Sequence, residues 1–314
     1  MNIIFMGTPD FAVESLSKIY ESGHNILAVV SQPDKPSGRG MKLMVTPVKE
    51  YAISKNIKVY QPEKIKKNKE FIEEMKSLKP DVMVVVAYGK ILPTELLSIP
   101  KYGCINVHGS LLPKYRGAAP IQWAIINGES KTGITTMYMD EGMDTGDMIL
   151  KEEIDILEHD TYGTLYEKLK NLGGKLIVET LEKVADGIIS RQKQSEDYSY
   201  APMIEKSMGN IDFSKSAFEI KNLIRGLNPM PGAFSHLDDM TVKIWRAEIC
   251  DSINESDVII PGTIVEANSK IGLVVATGKG YLKILELQMP NSKRMLATDY
   301  LRGNSIEVGK VFSM

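Results

Sequence analysis

Cysteine is scarce in this chain: Cys104 and Cys250 are the only two among 314 residues, far apart and on separate strand-like runs. That excludes a disulfide framework and leaves each to be read as a buried thiol of a reducing compartment. Histidine is nearly as sparse, with four residues scattered at 24, 108, 159 and 236, so no histidine-built metal site is expected. An excess of either charge is missing too, since 38 basic residues face 40 acidic ones for a formal net charge of -2. Nothing draws the whole molecule to a polyanion, and any nucleic-acid contact has to come from a local basic cluster. No apolar run approaches the roughly 18 residues that span a bilayer, and the opening "MNIIFMGTPDF" has no basic leader or small-residue cleavage site. A cytoplasmic protein with no membrane partner is expected.

The glycine signatures of nucleotide binding are also lacking. Gly7 stands at a strand-to-helix turn, but Thr8 and Pro9 occupy the places where a second glycine would bring backbone against a pyrophosphate. Neither G-x-G-x-x-G nor a Walker loop occurs elsewhere. Thr8 or Asp10 is expected to cap the following helix, with Pro9 in or near its first turn.

What is present is ordinary globular material, 43% apolar and 25% charged, in a chain long enough for two domains. Strand-like "NIIFM" (2–6), "ILAVVS" (26–31), "IKVY" (57–60) and "DVMVVVA" (81–87) alternate with helical stretches, among them Val48 to Ile53 and a charged one from Pro62 to Leu78. That rhythm predicts a parallel sheet covered by helices on both faces. "GITTMYM" (133–139) and "DMILKEEIDI" (147–156) add strands, and Leu165, Leu169, Leu172, Leu176 and Leu181 mark a helix ending near Asp186–Gly187. The polar, aperiodic text from Ile188 to Lys206 reads as a linker. Beyond it a helix (216–227) precedes strand-like runs at 241–249, 262–267, 271–277 and 281–289, the pattern of a small barrel. The expected division is 1–187, a linker 188–206, and 207–314.

The run "CINVHGSLLPKYRGAAP" ends a buried strand with Asn106 and His108. Residues two apart project from one face, so the two polar tips are presented together at the carboxyl end of a sheet strand, where α/β folds bind ligands. An amide and an imidazolium aimed at one point form a cradle for a developing negative oxygen, as acyl transfer requires. A carboxylate beside the ring would favour its charged form. "MDEGMDTGDMI" supplies Asp140, Glu141, Asp144 and Asp147. Its spacing does not match a calcium loop. Asp144 is the candidate partner of His108, with Asp140 and Asp147 as alternatives. No side chain stands out as a covalent nucleophile with its own base, which points to direct attack between two bound substrates.

The stretch "SQPDKPSGRGMKLMVTPVK" (31–49) is long for a connection in such a fold. It sets Lys35, Arg39, Lys42 and Lys49 among Met41, Leu43 and Met44 against one acid, Asp34, and reads as an arm that grips phosphates while its apolar residues wedge against bases. "KIKKNK" (64–69) reads as the exposed face of a helix. Lys293–Arg294 is the most suggestive basic pair of the carboxyl region.

With "FMGTPDFA", "SQPDKPSGRG", "VVAYGKILP", "INVHGSLLPKYRGAAPIQWAIINGES", "TGITTMYMDEGMDTGDM" and "IRGLNPMPGA" in order, the sequence resembles the methionyl-tRNA formyltransferase family over essentially its whole length. The Asn-x-His strand and the Asp loop are shared by a wider group using 10-formyltetrahydrofolate, including glycinamide ribonucleotide transformylase, so those residues alone fix the chemistry and not the acceptor. The resemblance implies an α/β amino domain with a Rossmann-like doubly wound, mostly parallel sheet, and a smaller OB-like β-barrel carboxyl domain that helps hold tRNA. It places catalysis on Asn106, His108 and Asp144, folate contacts on Ser110, Leu111, Leu112 and Pro113, and initiator methionyl-tRNA on the loop with Lys35, Arg39 and Lys42. It implies a monomer without a metal. Met230 departs from the pattern, since related sequences carry Trp within the same "NPxPG". Rival readings are a formyltransferase for a small amine, a nicotinamide-dependent dehydrogenase, and an RNA-binding module.

Overall fold

A computed structural model describes residues 1–37, 42–250 and 259–313, without the side chains of Ser37 and Lys42. The chain divides into two compact units. The first comprises residues 1–120, 131–155 and 166–201, and the second residues 121–130, 156–165 and 202–314. The main crossing thus falls inside the stretch expected as a linker, while two short pieces of the amino-terminal half are counted with the second unit.

In the first unit the elements are β1 (Asn2–Gly7), α1 (Asp10–Glu21), β2 (Asn25–Val30), β3 (Lys35–Ser37), β4 (Lys42–Met44), α2 (Pro47–Ser54), β5 (Val59–Tyr60), α3 (Lys69–Ser77), β6 (Val82–Val86), α4 (Thr94–Leu97), β7 (Cys104–His108), β8 (Arg116–Gly117), β9 (Lys131–Tyr138) and β10 (Met148–Asp155). Seven strands form one sheet in the order β10-β9-β7-β6-β1-β2-β5. Pairing is parallel from β7 to β5, and β9 runs antiparallel to β7. All five residues of β6 are buried, as the continuous apolar run demands for a strand covered on both faces. Ile4, Met6, Met83, Val85 and Cys104 pack on one face with Phe71, Met75 and Leu96 of α3 and α4. On β9, buried Thr136 shares a 2.9 Å hydroxyl bond with Thr180 of α6 (Tyr162–Ala185).

Three local expectations are corrected. Neither Thr8 nor Asp10 caps α1, whose cap position is Pro9. The Thr8 hydroxyl donates instead to the Tyr88 carbonyl, and Asp10 accepts from the Tyr166 hydroxyl: tertiary partners outbid the local cap. The charged helix begins at Lys69, because Lys67 is left-handed (φ 62°) and Asn68 caps Phe71 N–H at 3.1 Å. "KIKKNK" is therefore no helix face, and Ile65 within it is buried. Within the stretch expected as a loop, Lys35–Ser37 and Lys42–Met44 pair antiparallel, β3 on β4. The segment after α6 also adheres to this unit. Gln192 and Met148 exchange backbone hydrogen bonds of 3.0 and 2.8 Å, and β11 (Tyr200–Ala201) pairs with β8.

The second unit opens with α5 (Pro120–Ile126), whose Trp123 indole donates to the Pro202 carbonyl at 2.8 Å. After α6, α7 (Ala217–Gly226) starts at a reciprocal cap between Ser216 and Glu219. β12 (Ala233–Leu237), β13 (Met240–Cys250), β14 (Ile264–Asn268), β15 (Gly272–Ala276), β16 (Tyr281–Gln288), β17 (Met295–Leu296) and α8 (Ala297–Gly303) follow. The antiparallel sheet runs β12-β13-β16-β15-β14. Its two ends are joined by residues 310–313: Ser313 exchanges bonds with His236 of β12, and Phe312 donates to Gly262 just before β14. That closure makes the small barrel. Phe312 is buried beneath it and stacks on Phe213, ring centroids 5.6 Å apart.

Cys104 is buried and Cys250 only half-buried. Among the described residues no helix is long and apolar enough to cross a membrane.

Phe312→Ala is expected to cost the second unit about 3–5 kcal/mol through the lost ring and the cavity beneath the closure. Chemical unfolding followed at the Trp245 fluorescence checks this, and an unchanged midpoint contradicts it.

Candidate active site

Strand β7 carries Cys104, Asn106 and His108 on one face. Cys104 packs into the apolar cluster, and toward the carboxyl end that cluster gives way to half-buried Asn106 and to His108, 5% exposed. The loop between β9 and β10 doubles back to the same place. Antiparallel pairing sets Tyr138 opposite Ile105, so the chain must return along the strand face to bring Asp144 to the two polar tips. Asp144 adopts φ 55° to make that return, a left-handed conformation that Asp tolerates better than most residues.

Asp144 Oδ2 stands 3.6 Å from His108 Nδ1 and accepts the Gly117 N–H at 2.8 Å. Its Oδ1 receives the Asn106 amide at 3.5 Å. On the other side of the ring, His108 Nε2 is 2.9 Å from the Tyr115 carbonyl. A carbonyl only accepts, so Nε2 carries a hydrogen and Nδ1 is the nitrogen left facing the carboxylate. The imidazole is therefore held at both nitrogens. The amide of Asn106 keeps one long contact, leaving donor capacity toward the open side.

Of the three acids, Asp144 is the one the fold brings to His108. Asp140 bonds within its own loop, to Gly142 N–H at 3.0 Å and the Thr145 hydroxyl at 2.6 Å, the self-capping habit of short acids in turns. Asp147 stands where β10 is about to begin, its carbonyl accepting from Tyr138 N–H.

Two functional groups escaped sequence reasoning, the Tyr115 carbonyl and the Gly117 amide. A backbone group has no residue signature, and Tyr115 is left-handed at φ 62° although it is not glycine. Gly117 does leave a trace. Its φ is +120°, and a Cβ there would stand 2.8 Å from the Ala201 carbonyl, so β11 approaches closely only because the side chain is missing.

Ser110, Leu111, Leu112 and Pro113 divide in two. Leu111, Leu112 and Pro113 line a cleft of about 400 Å³ with Lys114, Lys151, Glu153, Ser195 and Asp197. Ser110 and Leu112 are buried behind its surface, and the Ser110 hydroxyl is spent on the Lys114 carbonyl at 2.7 Å. Thr135 holds the turn by accepting from Leu112 N–H at 3.1 Å and donating to the Ser110 carbonyl at 2.7 Å. Lys151 donates to the Leu112 carbonyl at 2.7 Å, and burial lowers its ammonium pKa below the ordinary lysine value. The two lysines of the cleft are matched by the carboxylates of Glu153 and Asp197, and Asn106, His108 and Asp144 are not among its lining residues.

On the β3–β4 pair, Lys35 is exposed, as are Leu43 and Met44. Arg39 lies outside the described residues, as does the side chain of Lys42. Lys49 is not available to a ligand, since it is held by Asp34 and Gln61 at 2.6 Å each. The Lys49 bond, then that of Gln61, holds the Asp34 carboxyl below its usual pKa. In the second unit, Arg294 is committed to Glu286 at 2.5 Å and lies over Trp245. Met230 is exposed there, so its departure from Trp removes no core contact. Among the described residues no group of three His, Cys, Asp or Glu could hold a metal ion.

The formyl transferase family profile matches residues 1–181, and the formyl transferase C-terminal domain profile matches residues 203–305. Methionyl-tRNA formyltransferases of Clostridioides difficile and Caldanaerobacter subterraneus are 57% and 53% identical over 312 residues, 99% of this chain and 99% of each relative. Among solved structures, the N-formyltransferase from Helicobacter canadensis in complex with folinic acid and dTDP-3-aminofucose has a TM-score of 0.67 at 22% identity, covering 93% of this chain and 99% of that one. HypX from Aquifex aeolicus in complex with tetrahydrofolic acid has a TM-score of 0.62 at 15% identity, covering 98% of this chain and half of that one. At such identities the likeness is one of fold.

Gly117→Ala is expected to lower stability by about 1–3 kcal/mol, because the new methyl meets the Ala201 carbonyl in a backbone conformation that alanine resists. Urea unfolding measures it, and a variant as stable as the parent contradicts the close approach.

Proposed function

The chain belongs to the methionyl-tRNA formyltransferase family, and from that premise we propose that it transfers the formyl group of 10-formyltetrahydrofolate to the free α-amine of methionyl initiator tRNA. The product, N-formylmethionyl-tRNA, serves translation initiation. What supports the residue assignment is one arrangement: the Asp144 carboxylate, tied down by the Gly117 amide, faces the His108 ring with the Asn106 amide alongside.

When bound, the folate supplies a formyl carbon activated by its nitrogen. The amine attacks that carbon directly, negative charge grows on the formyl oxygen, and collapse breaks the bond to the folate nitrogen, which takes up the proton the amine gives up and leaves as tetrahydrofolate. Asn106 donates its amide to that oxygen, and His108 in its charged form places positive charge beside it. Asp144 keeps the ring oriented, stabilises its charge and assists the transfer of the amine proton. The Tyr115 carbonyl at Nε2 leaves Nδ1 as the ring nitrogen whose proton can move. Leu111 and Pro113 present the apolar wall for the folate ring system, with Ser110 and Leu112 shaping it from behind. Lys114 and Lys151 lie where carboxylates would be met.

The stretch 1–187 takes the catalytic role. The stretch 31–49, with Lys35, Arg39 and Lys42, grips the acceptor end of the tRNA, and the barrel at 207–314 adds a surface for the rest of it. The enzyme works as a cytoplasmic monomer without a metal.

Asn106→Ala and His108→Ala are each expected to fold normally and to lose turnover by roughly a hundred- to a thousand-fold, the usual consequence of removing one donor to a developing oxyanion. Formylation of charged initiator tRNA by the purified variants is the assay, and parent rates in either would refute its assignment. Free small amines offered in place of charged tRNA distinguish a small-amine acceptor. Arg39→Ala is expected to raise KM for tRNA severalfold while leaving KM for the folate alone, with a shallower salt dependence. Equal changes in both constants would remove that residue from the tRNA contact.

A further inference from the structure

Gln194 lies in the polar, aperiodic stretch after α6, where nothing in the sequence distinguishes it. Its side chain makes four hydrogen bonds. The amide nitrogen donates to the Asp144 carbonyl at 2.7 Å and to the Gly146 carbonyl at 2.9 Å. The amide oxygen accepts from Arg116 Nε at 2.9 Å and Nη2 at 2.7 Å. The orientation of the amide is forced, because two carbonyls require a donor and a guanidinium requires an acceptor. Arg116 is buried and stacks on Tyr198, its guanidinium carbon 4.4 Å from the ring centroid, so the anchor is itself fixed.

These bonds close a ring of contacts. His108 Nε2 meets Tyr115, the next residue Arg116 holds Gln194, Gln194 holds the backbone of Asp144, and Asp144 returns to His108 Nδ1, with Gly117 N–H on its carboxylate. Without Gln194, the left-handed Asp144 is held only through its side chain, and two carbonyls of the loop lose their donor. We propose that Gln194 is a positioning residue for the reaction, one that sets the height and direction of the Asp144 carboxylate against His108. It touches no reacting atom. The inference rests on the assignment of Asp144 made above.

The test uses full-length enzyme carrying Gln194→Ala or Gln194→Glu, each also on an Asp144→Ala background. Glutamate keeps an acceptor for Arg116 and cannot donate to the two carbonyls, so it separates the loop contact from the anchor. Misplacing a group by about an ångström costs on the order of a hundredfold in turnover, so both variants are expected to lose kcat by that order. KM for the folate and for charged tRNA should stay within about threefold of the parent. The alkaline limb of the kcat–pH profile should move, since the charged imidazole that faces the carboxylate is lost there. On the Asp144→Ala background either change should cost less than about twofold more, because residues acting as a unit are not additive.

A Gln194→Glu enzyme with parent kcat overturns the proposal. So does a loss confined to KM, an unmoved alkaline limb, or the same further loss on the Asp144→Ala background. Should Gln194→Ala fail to fold, the near-isosteric Gln194→Glu decides by the same criteria. Parent activity in Asp144→Ala itself would instead remove the assignment beneath the proposal, a separate outcome.

Discussion

The site depends on how a single carboxylate is held. Asp144 reaches His108 from a loop that leaves the sheet at the wrong end of the strand, beside Ile105, and has to climb back. The cost of its left-handed backbone is about 1–3 kcal/mol. A hydrogen bond from Gly117 N–H to a charged oxygen contributes about 1.5–3 kcal/mol, of the size needed to offset it. The bond is available because β8 is drawn out by pairing with β11, which in turn demands the bare Cα of Gly117. A turn remote in sequence thus decides where the carboxylate that faces His108 stands.

The histidine is governed from the same turn. The Tyr115 carbonyl takes one ring nitrogen, and the Asp144 carboxylate faces the other. Residues 115 to 117 therefore set the tautomer through one backbone oxygen and the acid through one backbone nitrogen. The sheet supplies direction: β7 lies next to parallel β6 with Asn106 and His108 on the face of Cys104, and the apolar cluster below keeps the strand from twisting its tips away.

Much of this was legible in the sequence, for identifiable reasons. Strand period two puts Asn106 and His108 on one face whatever the surroundings, and a glycine-rich loop crowded with acids is visible without coordinates. The choice of Asp144 over Asp140 was less so, because both are short acids in turns and only the fold shows Asp140 satisfied within its own loop. The Tyr115 carbonyl and the Gly117 amide were beyond reach, being backbone groups aimed by long-range pairing. Gln194 was hidden by a polar context that reads as linker. The caps at Thr8 and Asp10 were misjudged because residues more than seventy positions away, Tyr88 and Tyr166, claim their side chains. Closure of the barrel by residues 310–313 leaves no periodic pattern, since single bridges to β12 and to the start of β14 do the joining.

Cys104 stands two residues before Asn106 on the same strand face, 2% exposed, and burial pushes its thiol up to about 12. Near neutral pH almost none of it is thiolate, the form that reacts with oxidants and alkylating agents. The floor of the site is consequently inert toward peroxide and toward cysteine-directed warheads. An inhibitor aimed here has to win by shape and hydrogen bonding, or else capture the amine of Lys151.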